Sequence, residues 1–536
     1  MSAPASTAKS RAAIWIAVAL VALPFLQALP MDLDRSGGLV LLLPALWLGR
    51  VELAQALARM RVGPIWLKLL AALAVVATAV SVGCAQQFAP ALVTASHWVI
   101  LTAGALIAGQ AVANDPTAGR RMLAGLALGT AAGTLAVWVW WVLDGRGAVP
   151  LYAHYRHLGL HTLAGAVAST ALIAQAEAAR GRRIFWLVIG SVTWGGLLWS
   201  GGRAPILAVI IALGLWWVFS PLALRKKLVA GTVLQLVAGL ALSAAFWTPN
   251  PALGWWHAIG RTASAASAGS ASDLSSTRTD FWRATAQRAL DSPWVGHGPD
   301  SYRFLTPKLD GQQPHNVALQ LWLEIGAVGA LALLILVGAV WDHAWRRANL
   351  ALAMIPQAWL AVLVASVVAG MLDGVFYHLV AFLPAMLAFG VAIGLVSKSA
   401  PPAAASSVPR LVLTLAAAVV ALHMGVFYAL ALGPPPAPDG WTARGVRLFP
   451  STTFGLWRWL DRWQQTSPAD VLPWARWAQA HSPNPVYFHV YAARVLVARG
   501  DRAGAEAELR AAWDKAHWTM RPSLDAMLRE LHSSSP

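Results

Sequence analysis

Apolar stretches long enough to cross a membrane recur from near the start of this chain to about residue 432, and no other property limits its fold as tightly. A bilayer core about 30 Å thick takes about 20 helical residues. Inside it every backbone N–H and C=O must be satisfied by the chain itself, so such stretches have to be helices. About thirteen are readable, at 12–30, 37–53, 64–83, 91–110, 122–143, 159–178, 184–200, 204–220, 228–247, 317–341, 350–370, 374–396 and 411–432. With 58% hydrophobic and 12% charged residues, the chain is too apolar for a water-soluble protein of its length. The expected fold is all-α, a polytopic membrane bundle of about 12–13 helices.

The net charge of +17 raises the question of nucleic acid, and its distribution answers it. Basic residues return in every second short loop: Lys9 and Arg11, Arg59 and Arg61, Arg120 and Arg121, Arg180 to Arg183, Arg225 to Lys227, Arg346 and Arg347, then Lys398 and Arg410. That is the positive-inside pattern, and it places those loops in the cytoplasm. With an odd number of spans, the N-terminus lies inside and everything after about residue 433 outside. The first segment lacks a small-x-small cleavage site and reads as a retained signal-anchor. Cys84 is the sole cysteine, so no internal disulfide or cysteine metal site can form.

The chain divides into residues 1–247 with spans one to nine, a long outer loop 248–315, spans ten to thirteen over 316–432, and an outer helical domain 433–536. Loops as long as 248–315 are functional or unstructured. Within it, Thr277 to Leu290 has the spacing of an amphipathic helix, stopped by Asp291-Ser292-Pro293 and followed by a Gly296-His297-Gly298 turn. In the last domain, Tyr491 to Trp513 has the small and large spacing of a tetratricopeptide-like helical hairpin. Trp457, Trp459, Trp463, Trp474 and Trp477 belong to its neighbours.

Three basic groups fall on the outer face. Arg203 closes Ser200-Gly201-Gly202-Arg203, Arg278 opens the loop helix, and His315 with Asn316 opens the tenth span. An ionisable group at a membrane boundary is a functional candidate, because burying it without a task costs several kcal/mol. Guanidinium forks match phosphate oxygens, so Arg203 and Arg278 suit a diphosphate and the charge it takes up on leaving. An imidazole can accept a proton from a hydroxyl. Asn316 is placed to cap its helix, and Gly326 and Gly329 give a smooth face for close helix packing. Tyr152, His154, Tyr155, Arg156, His157 and His161 cluster at the outer end of the sixth span, where they line a substrate path or serve as ordinary interfacial aromatics. Asp373 and His378 lie near the same face, and Asp32-Leu33-Asp34 reads as a solvated turn.

Taken together these motifs resemble the bacterial O-antigen ligase and polymerase superfamily, which includes protein O-oligosaccharyltransferases. The family's ligase pattern, His-Asn/Ser/Gln followed after nine residues by Gly-x-x-Gly/Thr/Tyr, is met by His315, Asn316, Gly326 and Gly329. The Ser-Gly-Gly-Arg203 turn, Arg278 with Trp282, and Pro293 to Gly298 are also similar to the family's. The resemblance implies a metal-independent, cofactor-free enzyme of the bacterial inner membrane. It would move a saccharide from undecaprenyl diphosphate to an acceptor hydroxyl at the periplasmic face. Arg203 and Arg278 would bind the diphosphate, His315 would engage the acceptor, and Trp282 and Asn316 would stand by the substrates. Membrane lipids are the other expected partners, and nucleic acid is not one. The glycine spacing favours a ligase with lipid A-core as acceptor, whereas the C-terminal hairpin resembles tails of protein O-oligosaccharyltransferases. The second histidine that those protein-modifying enzymes carry two places earlier, and their Gln-Pro-Asn signature near Leu160 to Thr162, are not evident here. A polymerase of O-antigen or exopolysaccharide, and a non-catalytic transporter of lipid-linked glycans, are the remaining alternatives. A transporter's internal repeats and midplane charges are not seen.

Overall fold

The computed structural model describes residues 10–26, 39–144, 151–152, 154–176, 180–267, 278–305, 307–309, 312–396, 408–432, 441–449, 468–482, 484–518 and 520–533. Among them no strand forms, and the fold is an all-helical polytopic bundle. In chain order the helices are α1 (Arg11–Leu26), α2 (Leu43–Leu48), α3 (Arg50–Val62), α4 (Ile65–Gly83), α5 (Phe88–Asn114), α6 (Pro116–Asp144) and α7 (Tyr155–Ala174). There follow α8 (Arg180–Trp199), α9 (Arg203–Phe219), α10 (Leu222–Ala245), α11 (Trp255–Ser267), α12 (Arg278–Ala289), α13 (Val317–Leu350), α14 (Met354–Gly370) and α15 (Leu379–Val396). The last are α16 (Val408–Leu432), α17 (Trp441–Leu448), α18 (Pro468–His481), α19 (Val486–Ala498), α20 (Arg502–Lys515) and α21 (Arg521–Ser533).

Eight of these, α4, α5, α6, α7, α10, α13, α15 and α16, are long and apolar enough to span a bilayer, and α1, α9 and α14 are shorter apolar helices. The expected span at 37–53 is not continuous: the chain turns at Gly49, leaving the short α2 and the basic-ended α3. α8 is a full 20-residue helix, but Arg180, Arg182 and Arg183 in its first turn dilute its apolar character.

The chain forms two compact units. The first comprises residues 1–72, 99–274 and 332–410. Its centre is α7, buried from His157 to Ala174 and packed by α6, α8, α9, α10, α14 and α15. Several polar side chains packed around it pair across the helices: Gln235 of α10 donates to the carbonyls of Ser169 and Trp186, and between α9 and α14 the Trp216 indole donates to Gln357.

The second unit comprises residues 73–98, 275–331 and 411–536. One core gathers Leu472, Phe488, Tyr491, Leu496, Leu509 and Leu524 among α18 to α21. α19 and α20 form the expected hairpin, closed by Gly500 and capped where Asp501 accepts the Gly504 N–H at 2.8 Å. A smaller core joins Ala284 and Ala289 of α12 to Tyr302, Leu305, Leu309 and Leu323. Val93, Val426, Val446 and Phe449 tie α5, α16 and α17 together.

Candidate functional site

In the second unit, α12 begins at Arg278 as the sequence predicts and stops at Ala289, before Asp291-Ser292-Pro293. Phe281, one turn after Arg278, lies with its ring centroid 6.4 Å from that of His315, tilted 33°. Trp282, also one turn from Arg278, is half-buried on the same helix. The structure therefore brings the Arg278 helix and His315 together. His315 itself has φ 54, a left-handed backbone that a non-glycine residue adopts only when its surroundings impose it. The next residue, Asn316, caps α13, its side-chain oxygen accepting the Leu319 N–H at 3.1 Å.

Ten residues further on, α13 breaks. Gly326 has φ 71 and ψ 170 in the middle of an otherwise continuous apolar helix. The expected smooth packing face is instead a gap in the helical ladder, and the Pro293 to Gly298 turn fills it. The N–H of His297 donates to the Leu323 carbonyl at 2.8 Å, that of Gly298 to Glu324 at 2.9 Å, and that of Ala327 to Pro293 at 2.8 Å. The Ser81 hydroxyl adds a bond to the Glu324 carbonyl, and the Trp322 indole one to Pro293. The backbone groups released by the break are thereby satisfied, as burial demands. Glycine is required on both sides: a Cβ at Gly326 would sit 2.1 Å from the Trp294 oxygen, and one at Gly296 would sit 2.5 Å from the Glu324 oxygen. Gly329 does pack closely as expected, its Cβ position 3.0 Å from Ala77.

Arg203 belongs to the first unit. It begins α9 after the Gly202 N-cap, and its guanidinium reaches the Thr262 hydroxyl at 3.5 Å. The preceding turn is held by Arg261, which donates to the Gly201 carbonyl at 3.0 Å and to that of Pro251. Gly254 N–H closes on the Trp199 carbonyl at 2.7 Å. Burial holds the Arg261 guanidinium below its ordinary pKa; Tyr155 pulls it up, and the like charges of Arg203 and Arg156 push it further down. Among the described residues neither Arg156 nor Arg261 has a carboxylate at ion-pair distance. Arg261 was one basic loop residue among several in the sequence, and nothing there distinguished it.

The remaining candidates also lie in the first unit. The His154 ring nitrogen accepts the Arg156 N–H at 3.2 Å and caps α7. The Tyr152 hydroxyl pairs with His161 at 2.9 Å, both side chains buried, and burial raises the Tyr152 phenol above its usual pKa. The His157 and His378 rings lie with their centroids 3.5 Å apart, tilted 33°, and the Asp373 carboxylate accepts the Gly374 N–H at 2.8 Å. Among the described residues no three His, Cys, Asp or Glu side chains are grouped to hold a metal ion. Asp32 and Asp34 lie outside the described residues.

Residues 185–334 match the family model described as O-antigen ligase. Over that stretch the chain is similar to the O-antigen ligase superfamily. A comparison with curated proteins gives no match. The matched region encloses Arg203, Arg278, Trp282, His315, Asn316 and the Gly326 break, and the match supports a membrane glycosyltransferase of the ligase and polymerase superfamily. The Tyr152 to His161 cluster and the helices α18 to α21 fall outside it.

Proposed function

We propose that this protein is a ligase-type transferase that moves a saccharide from undecaprenyl diphosphate to a hydroxyl of lipid A-core, at the periplasmic face of the inner membrane and without a metal ion. The observation that carries the reading is His315. It lies within the O-antigen ligase match, in a left-handed backbone, beside the helix that Arg278 opens. The imidazole takes the proton of the acceptor hydroxyl as its oxygen attacks the anomeric carbon. The bond from that carbon to the diphosphate oxygen breaks, and the polyprenyl diphosphate leaves with the electron pair. Arg203 and Arg278 offset the charge that collects on it. Tyr152, His154, Arg156, His157 and His161 contribute to the substrate path. The N-terminus is cytoplasmic and α18 to α21 are periplasmic.

A protein acceptor is the second reading, supported by the α19–α20 hairpin. The test incubates purified protein with lipid-linked oligosaccharide and either lipid A-core or a pilin-type protein. Sugar on lipid A-core is expected. Sugar on the protein selects the oligosaccharyltransferase, and repeated addition to the lipid-linked glycan selects the polymerase. His315→Ala is expected to lower the rate about 10²–10⁴-fold. Unaltered transfer by that variant, or none by the parent with any acceptor, refutes the proposal in favour of a transporter or scaffold.

A further inference from the structure

The segment leading into His315 is held from one side by the C-terminal helices. Its backbone pairs with the end of α20: the Lys308 N–H donates to the Lys515 carbonyl at 3.1 Å, and the His517 N–H donates to the Lys308 carbonyl at 2.7 Å, a parallel bridge of Lys308 with Ala516. Five residues earlier, the buried Asn484 amide donates to the Arg303 carbonyl at 2.9 Å. Four residues later, the Gln312 amide donates to the Tyr487 hydroxyl at 3.1 Å. Gln312 stands three residues before His315. From the other side, Tyr302, Leu305 and Leu309 pack on Leu323 of α13 and on Ala284 and Ala289 of α12.

Two residues of this stretch, Asp300 and His315, carry positive φ without being glycine. Such a backbone is sterically disfavoured for an L-residue and persists only where several neighbours leave it no alternative. Packing on α12 and α13 fixes apolar side chains between Tyr302 and Leu309. The Arg303 carbonyl, the Lys308 backbone and the Gln312 side chain are held in addition by α19, the end of α20 and the turns beside them.

We propose that the C-terminal helical domain is a positioning element of the transfer site: through Asn484, Tyr487 and the 515–517 backbone it holds Arg303, Lys308 and Gln312 so that His315 keeps its left-handed conformation. Its catalytic half rests on the role given to His315 above; its conformational half does not. The domain thus acts on the reaction in cis, whatever it also binds.

The test uses the full chain in lipid nanodiscs, with Asn484→Ala, Tyr487→Phe and their combination, and with Glu506→Gln as a control on a solvent-facing pair of the same domain. Amide exchange over 301–316 and the kcat and donor KM of transfer are measured for each. The double variant is expected to speed exchange over 301–316 by about tenfold or more and to lower kcat by a similar factor. Donor KM should stay within about twofold and exchange in α7 should not change, which separates positioning from general loosening. Tyr487→Phe alone removes one hydroxyl from a half-buried side chain, so it reads the effect if Asn484→Ala fails to fold. Unchanged exchange over 301–316 overturns the proposal, and faster exchange with unchanged kcat overturns its catalytic half. A parent protein with no transfer activity would sink the proposed function while leaving the exchange result to be read.

Discussion

Gly326→Ala tests whether the helix break is an obligatory part of this fold. The substitution forces an L-residue into φ 71 and ψ 170, a region essentially reserved for glycine, at a cost of about 1–3 kcal/mol, and sets a methyl group 2.1 Å from the Trp294 oxygen and 2.6 Å from the Val295 nitrogen. No flexible side-chain end is available to yield, because both atoms are backbone. The turn 293–298 must move away, and the bonds from His297, Gly298 and Ala327 go with it. At about 0.5–1.5 kcal/mol for each bond, the local loss with the strain comes to about 2.5–7.5 kcal/mol. Since each 1.4 kcal/mol is about a factor of ten, exchange of the His297, Gly298 and Ala327 amides should accelerate by about two to five orders of magnitude in the variant. Gly338→Ala in the same helix is the control, since its Cβ meets nothing within 4 Å, and it should be neutral or stabilising by about 0.5–1 kcal/mol. Protection at those three amides within about threefold of the parent would refute the reasoning, for it would mean that α13 can close its ladder without the turn.

Two further outcomes are expected. Arg261→Gln should speed exchange at Gly201 and Gly254 about tenfold, with Arg261→Lys recovering part of the loss, because a charged donor to a carbonyl is removed from a half-buried site; unchanged rates would show that the turn before Arg203 holds itself. Acid should loosen the C-terminal domain. Burial, first, and then Lys515 push His489 below the ordinary histidine range against the pull of Glu508, and burial with Arg288 and Arg521 does the same to His517. A depressed histidine stabilises the fold fully above its unfolded pKa of about 6.5, and that stability is lost as pH falls from there through the folded value. Protection of α19 and α20, corrected for intrinsic rates, should therefore fall between pH 7 and 5, and the His489→Gln, His517→Gln pair should remove that fall; a flat profile in the parent contradicts it.

What could be read from the sequence follows the range of the forces involved. Hydropathy and local chain preference are properties of consecutive residues. The long apolar helices, the start of α12 at Arg278, the Asn316 cap and the α19–α20 hairpin were therefore open to inspection. The turn at Gly49 was not, because an apolar window averages over one glycine. Gly326 was hidden for the same reason: it sits in a run whose hydropathy continues unbroken to Trp341, and the partner that allows the break lies about thirty residues earlier. Its one local trace was the Pro293, Gly296 and Gly298 spacing, which reads as a turn but does not say what the turn meets. Arg261 left no trace at all, since a guanidinium that grips a distant carbonyl looks in sequence like any exposed arginine.

The break at Gly326 also gives the His-Asn, nine residues, Gly spacing a physical meaning. A membrane helix interrupted in mid-course leaves backbone groups that lipid cannot satisfy, so the interruption survives only where protein fills it. Here the filler is the turn that ends the α12 segment, and its three backbone bonds fasten that segment to the first turns of α13. The distance from Asn316 to Gly326 is the length of helix between the cap and that fastening. Lengthening it by one residue would rotate the break by about 100° around the helix, turning the carbonyls of Leu323 and Glu324 away from the 293–298 turn. The spacing is then a requirement of register: it keeps the residue before the cap, His315, beside the helix that Arg278 opens.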